Sequence, residues 1–212
     1  MIYLNINGQR IEIPDGATIK IQTAPPQWME AKATLLNGGV VPEPGDRFDY
    51  NGHSYIALGM EQGGLLAISD GPVGEMPFDE DESNDWRASS LRAWLNGEYL
   101  EQIGRECLLK QVSDLTSDDG MKDYGTAEDY VALLSEEQYR KHRAVIPDFD
   151  TWWWTITPWS CSPSVGYYQR NVNASGALFS NVAYNSFGVV PRLLFNLESF
   201  TGPQERCDSS AE

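Results

Sequence analysis

The sequence predicts an α+β fold in which two helices flank antiparallel sheets, and three observations support this class. Short alternating apolar segments joined by Asn-Gly pairs fill the beginning of the chain. Two stretches with helical spacing and good N-cap residues occupy the middle. Aromatic and β-branched segments bounded by Pro and Gly return near the end. This order is typical of helices packed beside an antiparallel sheet.

Two hairpins are predicted in the first third of the chain. Apolar residues alternate on both sides of Asn7-Gly8, a dipeptide typical of a type I′ turn. A second Asn-Gly pair joins β-forming residues at 47–50 and 53–58, and His53 beside it is expected to be exposed. A third strand is expected at 64–69.

The predicted domain organisation has three parts. The Pro25-Pro26 pair interrupts the chain after a small N-terminal β element at residues 1–24. This element is either a separate unit used for attachment or oligomerisation, or it supplies edge strands of the main domain, and the sequence leaves both open. The main domain is placed at residues 25–200, and the polar segment 201–212 is expected to be a disordered tail.

The first helix is predicted to begin after Ser89, which is a good N-cap residue. Four apolar residues then fall on one face at helical spacing and are expected to pack in the core: Leu91, Trp94, Leu95 and Tyr99. Gly97 interrupts this pattern and weakens the helix interior, so a split in the helix is expected there.

The second helix is predicted from a capping box formed by Ser135 and Gln138. It should continue to about residue 145, where a proline soon follows. Tyr139 is expected to face the core. His142 lies among basic residues and is expected to be exposed.

The composition limits the partners of the protein. A formal net charge of −16 disfavours nucleic acid and anionic membranes, both of which need a basic surface. No apolar run approaches the roughly 20 residues of a membrane-spanning helix, so no membrane insertion is expected. The alternating N-terminus predicts no signal peptide. The expected location is therefore the cytoplasm or a virion.

Two acidic segments are predicted to be solvated loops. The first covers residues 79–82 together with Asp85, and the second covers 113–129. Either loop could hold a hard cation, but an EF-hand register that places Gly120 at the sixth position puts Leu115 where a carboxylate is required. We therefore predict no metal site and no cofactor.

The motifs of common enzyme classes are absent from the sequence. It contains none of the nucleophile-elbow, phosphate-loop and dinucleotide-binding patterns, and its two histidines offer no context for serine catalysis. Cys107 is expected to be a core thiol, whereas Cys161 lies in a Ser-rich loop where it could be exposed. A non-enzymatic protein is the resulting prediction.

Residues 152–197 carry the most functional information. Strands predicted at 152–157 and 188–197 flank two stretches rich in Ser, Tyr and Asn, the residue types that dominate binding loops. Loops on a rigid scaffold tolerate such residues at little cost in stability. The candidate ligand-binding residues are Ser160, Ser162, Ser164, Tyr167, Tyr168, Arg170, Asn171, Asn181, Tyr184, Asn185 and Ser186. The alternative is that these are ordinary polar loops whose tyrosines pack locally.

Five motifs in a fixed order resemble a bacterial and bacteriophage domain family. They are DWRASSLRAWLN (85–96), LLSEEQYRK (133–141), WWWTITP (152–158), VNASGAL (172–178) and GVVPRLLF (188–195). That family is similar to the C-type-lectin-like fold shared by formylglycine-generating enzymes and by the variable proteins of diversity-generating retroelements. The resemblance spans residues 30–198 and implies a ligand-binding face built from the last strands and loops.

The resemblance also suggests which activity to expect. The copper cysteine pair of the formylglycine-generating enzymes, the histidine triad of the sulfoxide synthases and the calcium motifs of sugar-binding lectins do not appear in this sequence. The variable-protein class fits better, and it implies a phage or prophage protein that binds a host-surface protein or glycan. An oxidoreductase using Cys161, or a structural virion component docked through residues 1–24, are the alternatives.

Overall fold

A computed structural model describes residues 2–6, 9–13 and 35–202. The chain divides into two units, at residues 1–34 and 35–212. In the first unit, strand β1 (Ile2–Ile6) pairs antiparallel with β2 (Gln9–Ile13), with Ile6 opposite Gln9. The hairpin predicted around Asn7-Gly8 is therefore confirmed. The rest of the predicted element, residues 14–24, lies outside the described residues, as does the predicted tail from residue 203 onward.

The second unit is a mixed α+β structure whose sheets are mostly antiparallel, as predicted. Its strands are β3 (Arg47–Tyr50), β4 (His53–Glu61), β5 (Gly64–Ser69), β6 (Glu75–Pro77), β7 (Gln111–Asp114), β8 (Thr126–Asp129), β9 (Val131–Leu133), β10 (Trp153–Pro158), β11 (Tyr168–Val172), β12 (Leu178–Val182), β13 (Ser186–Gly188) and β14 (Pro191–Phe195). Its helices are α1 (Ser90–Trp94), α2 (Leu100–Ile103), α3 (Glu136–His142) and α4 (Glu198–Thr201), with short 3₁₀ turns at Leu36–Gly39 and Trp86–Ala88.

Two five-stranded sheets organise this unit. One sheet has the order β3-β4-β5-β14-β9, and the other has the order β12-β11-β10-β13-β6. Among these pairs only β10 and β13 run parallel. Strands β7 and β8 form a separate two-stranded hairpin.

The central strands are buried on both faces, which explains their mostly apolar sequence. Every residue of β5 and of β14 is buried. Side chains alternate between the faces of a strand. Trp153 and Trp154 accordingly belong to two different core clusters, and each is at most 1% exposed.

The hairpin of β3 and β4 depends on its turn residues. Asn51 and Gly52 have φ values of 48° and 82°, the left-handed conformation that a type I′ turn requires at both central positions. The side chain of Asn51 also donates a hydrogen bond of 2.6 Å to the carbonyl oxygen of Ile103. His53, expected to be exposed, is half-buried, and its ring packs edge-to-face on Tyr99.

The first predicted helix begins where expected but is not split. Ser89 caps α1 by accepting a hydrogen bond from the backbone N–H of Arg92 at 3.2 Å. Gly97 lies in a wide π-turn, Leu95–Tyr99, after which the chain continues directly into α2. Glycine therefore widens the helix locally without ending it, and the predicted core residues Leu91, Leu95 and Tyr99 are buried, with Trp94 partly buried against them.

The capping box of α3 is confirmed, with Ser135 and Gln138 exchanging hydrogen bonds. The helix ends at His142, earlier than predicted, and Tyr139 is buried as expected. The prediction that His142 is exposed is wrong. Its side chain is half-buried, its Nε2 has no partner among the described residues, and burial lowers its pKa below the ordinary 6.5.

The acidic segments are more structured than predicted. The ends of 113–129 pair as the β7–β8 hairpin, and Asp129 is buried, where it accepts hydrogen bonds from the Trp86 ring nitrogen at 2.9 Å and from Arg92. Asp79 is also buried and accepts from the backbone N–H of Ser90. Both carboxylates therefore accept hydrogen bonds inside the fold and have a structural role.

No group of three or more metal-binding side chains is found within the described ranges. In the same part of the chain no helix has both the length and the apolar character needed to cross a bilayer.

Candidate functional site

Three aromatic side chains pack together at one end of the sheet that contains β11 and β12, and a fourth lies in the adjoining turn. We define Trp159, Tyr167, Tyr168 and Tyr184 as the aromatic patch. Trp159, Tyr167 and Tyr184 are 38%, 37% and 50% exposed, whereas Tyr168 is half-buried among them. The ring centroids of Tyr167 and Tyr168 are 4.6 Å apart, and those of Trp159 and Tyr168 are 5.6 Å apart in an edge-to-face arrangement.

The backbone brings these residues together from separate segments. The N–H of Trp159 donates to the carbonyl oxygen of Tyr168 at 3.2 Å, which closes the loop between β10 and β11. The N–H of Ala183 donates to the carbonyl oxygen of Tyr167 at 2.8 Å and so places Tyr184 beside this loop. The patch is therefore a property of three chain segments held by main-chain hydrogen bonds.

The buried side chain of Asn84 holds the loop between β10 and β11 in place. It is fully buried, and its amide nitrogen donates to the carbonyl oxygens of Ser160 at 2.9 Å and Tyr168 at 2.8 Å. Its amide oxygen accepts from the hydroxyl of Tyr124 at 2.8 Å. Its backbone N–H donates to Gly166. One side chain thus joins both ends of the loop that carries the patch.

A second support comes from residues 117–121. The N–H of Asp118 donates to the carbonyl oxygen of Pro158 at 2.9 Å, and the Ser160 hydroxyl donates to the Met121 sulfur at 3.4 Å. The expectation that Cys161 could be exposed is wrong. Its side chain is 7% exposed, and its thiol donates to the Met121 carbonyl oxygen at 3.8 Å.

The structure distributes the eleven predicted ligand-binding residues over three environments. The exposed ones are Ser164, Tyr167, Tyr184 and Ser186. The half-buried ones are Ser162, Tyr168, Arg170, Asn181 and Asn185. The buried ones are Ser160 and Asn171.

Ser160 and Asn171 were predicted to be ligand-binding residues on the surface, but both are buried. The Ser160 hydroxyl is used inside the loop, where it also accepts from the Ser162 N–H at 3.1 Å. Asn171 lies within the sheet, paired with Trp154 on one side and Phe179 on the other. Its side-chain amide is completely buried and has no partner among the described residues. Neither residue contributes to the candidate surface.

Arg170 is part of an ion-pair cluster. Its Nε donates to Glu136 at 2.6 Å and lies 3.7 Å from Asp118. Arg140 contacts the same Glu136 carboxylate at 3.0 Å. Burial raises the pKa of Glu136 above its ordinary 4.5, helped by the nearby Asp118 carboxyl and opposed by Arg170. Arg170 therefore anchors β11 to α3, directly beside Tyr168.

The hydroxyl of Tyr167 is a hydrogen-bond donor at neutral pH. The neighbouring Tyr168 raises the pKa of Tyr167, and burial raises that of the supporting Tyr124 to about 12. Each phenol then offers an O–H together with an apolar ring, which suits contacts with polar and apolar groups alike.

Sequence reasoning missed the residues that support the patch. Asn84 stands in an acidic segment read as solvated, and a buried asparagine has no local pattern that reveals it. Trp159 is exposed but was not among the candidates, although its place between a strand proline and the Ser-rich loop was a usable signal.

Comparison of the chain with protein families, with curated proteins and with solved structures found no match.

Proposed function

We propose that residues 35–202 form a non-enzymatic binding domain that contacts a host-surface protein or glycan through the aromatic patch. The observation that carries this proposal is the group of exposed aromatic rings at the end of a sheet, held by the buried side chain of Asn84. Exposed apolar groups that are contiguous on a protein surface mark sites of interaction with a partner.

Preorganisation supports the same conclusion. A binding surface loses affinity when its side chains and loops must be ordered on association, at about 0.5–1.5 kcal/mol per immobilised side chain. Here both ends of the loop are already fixed by hydrogen bonds, and the rings already pack on one another. Hydroxyls at Ser162 and Ser164, which are 3.1 Å apart, add polar groups in the same loop.

The finer assignment is a C-type-lectin-like domain of a phage or prophage protein, with the last strands and loops as the binding face. It is supported by the motif order of the sequence and by the use of those motifs in the fold. Residues 85–96 supply α1, 133–141 supply the capping box of α3, and 152–158 supply β10. The patch lies on the loops that follow β10 and β12.

Binding is tested on a glycan array and, in parallel, on intact bacterial cells of several strains with and without protease treatment. A double variant, Tyr167→Ser with Tyr184→Ser, should lose the binding that the wild type shows, because both exposed rings are removed. Protease-resistant cell binding indicates a glycan, and protease-sensitive binding indicates a protein.

Phe179→Ser is the matched control. Phe179 is 47% exposed, but it lies on the opposite face of the sheet from Tyr168, since Tyr168 is paired with Val182 and Asn171 with Phe179. Equal loss in both variants, or full binding by the double variant, would contradict the proposal.

Diversification is tested on the DNA around the gene. A near-copy of the codons for residues 150–195, differing at adenines and adjacent to a reverse transcriptase gene, is expected if the patch is varied by a retroelement. Tyr167, Tyr168 and Tyr184 are outcomes that adenine replacement permits. A locus without such a copy would contradict diversification and leave the binding proposal to the array experiment.

A further inference from the structure

A cleft separate from the aromatic rings opens beside α3. Its volume is about 450 Å³, and its lining includes Ser113, Asp118, Glu136, Gln138, Thr157 and Arg192. The cleft is bordered by the β7–β8 hairpin, the first turn of α3 and the end of β10. A cavity of this size falls in the range of small-molecule sites.

Arg192 is the unusual member of this lining. It lies on β14 in the middle of a sheet, and only 2% of it is exposed. One terminal nitrogen donates to the Gln138 side-chain oxygen and the other to the Ser113 hydroxyl at 2.5 Å. Its Nε has no partner among the described residues. A guanidinium has five N–H donors, and these two neutral contacts use only part of them.

Arg192 makes no direct ion pair among the described residues, although the negative charges of Glu61 and Asp129 oppose the effect of burial on its pKa. In residues 35–202 no carboxylate forms an ion pair with it, whereas the other buried ion of the cleft, Glu136, contacts both Arg140 and Arg170. Burial lowers the pKa of Arg192 to about 10, so it remains protonated at neutral pH. An unpaired buried charge is costly, and a carboxylate matches the fork of a guanidinium with two parallel hydrogen bonds.

The rest of the cleft limits which anion fits. Glu61 already contacts Lys141 at 3.6 Å and accepts from Gln138 at 2.6 Å. Asp118 and the exposed Glu137 add negative charge to the walls. These groups repel an ion with two charges, but they favour an ammonium or amide N–H placed beside a single carboxylate.

From this pattern we propose that the cleft binds the carboxylate end of an amino acid or of a peptide, with Arg192 as its partner. The two sources share the α-carboxylate and differ in whether the adjoining nitrogen is an ammonium or an amide.

The test uses the full wild-type chain and observes the Nε–Hε signal of Arg192 by NMR. The chain is titrated with L-alanine, with trialanine carrying a free C-terminus, with the same peptide amidated, and with inorganic phosphate. A saturable shift with alanine alone assigns a free amino acid, and a shift with the free-acid peptide assigns a peptide end. The amidated peptide should give no shift.

Two variants test the role of the guanidinium. Arg192→Lys retains a charge but loses the fork, and binding should weaken by about tenfold or more. Arg192→Met removes the guanidinium and should abolish binding. Arg105→Met, which changes an exposed arginine outside the cleft lining, should bind as the wild type does.

Three results would overturn the assignment. They are the absence of any shift with alanine and with the free-acid peptide, a shift with phosphate at equal or lower concentration, and unchanged affinity in Arg192→Lys. The wild-type titration decides the question even if Arg192→Met does not fold.

Discussion

Replacing Asn84 by alanine should release the loop that carries the aromatic patch. The substitution removes two donated hydrogen bonds, to Ser160 and Tyr168, and the acceptor for the Tyr124 hydroxyl. At about 1 kcal/mol of net stability for each buried hydrogen bond, the loss is about 3 kcal/mol. The carbonyl oxygen of Tyr168 keeps its bond from Trp159, whereas no other described group donates to the carbonyl oxygen of Ser160.

The expected fall in melting temperature follows from this loss of unfolding free energy and from the size of the protein. A domain of this length loses about 2–4 °C for each kcal/mol, so Asn84→Ala should lower Tm by about 6–12 °C. Urea unfolding gives the free energy, and hydrogen exchange followed by mass spectrometry gives the local effect. Exchange should rise in residues 159–168 well beyond what the global loss of stability explains.

Asn96→Ala is the matched control for this prediction. Asn96 also makes three side-chain hydrogen bonds, one to Arg92 and two to Val131, but they join the π-turn after α1 to β9, away from the patch. The Asn96→Ala variant should be destabilised by a similar amount, without a selective rise of hydrogen exchange at residues 159–168. A loss below about 1 kcal/mol in Asn84→Ala, together with unchanged exchange at 159–168, would refute the role assigned to Asn84.

Three further predictions concern stability and pH. Gly64→Ala should destabilise by about 1–3 kcal/mol in urea unfolding, because an added Cβ would lie 2.6 Å from the Phe195 carbonyl oxygen. Gly97→Ala, with nothing within 4 Å, should instead stabilise by about 0.5–1 kcal/mol; the opposite order of the two would contradict this account. Because the pKa of His142 is lowered below 6.5, the unfolded chain takes up this proton first as the pH falls, and stability drops. His142→Gln should lose that part of the drop, and an unchanged pH profile would count against it. The raised pKa of Glu136 acts in the other direction, because the unfolded chain ionises first as the pH rises through 4.5. The stability of the wild type relative to Glu136→Gln should therefore fall above pH 4.5, which unfolding curves across the pH range can check.

Much of the local structure could be predicted because its causes are local. The turn at Asn51-Gly52 needs left-handed backbone at both residues, and the capping box of α3 uses residues three positions apart. The patch tyrosines Tyr167 and Tyr184 were recognised for a similar reason, since Tyr-rich and Ser-rich composition between apolar strands marks a loop.

Burial of polar residues could not be predicted in the same way. Asp129 stands in an acidic segment that reads as solvated, but in the fold it pairs with Trp86 and Arg92 across 43 and 37 positions of sequence. His142 follows basic neighbours that suggest exposure, but the fold half-buries it at the end of α3. In both cases the decisive contacts come from segments that the local pattern does not contain.

The sequence by itself determined strands β3, β4, β5 and β10, the helix starts and the Asn-Gly turn of this protein, because these depend on backbone preferences and on side chains only a few residues apart. Only the tertiary structure decided which polar groups are buried and form hydrogen bonds between distant segments. Asn84 reaches Ser160 and Tyr168 across 76 and 84 positions, and Arg192 reaches Ser113 across 79. Whether such groups are buried, and what they bind, follows from how distant segments pack together.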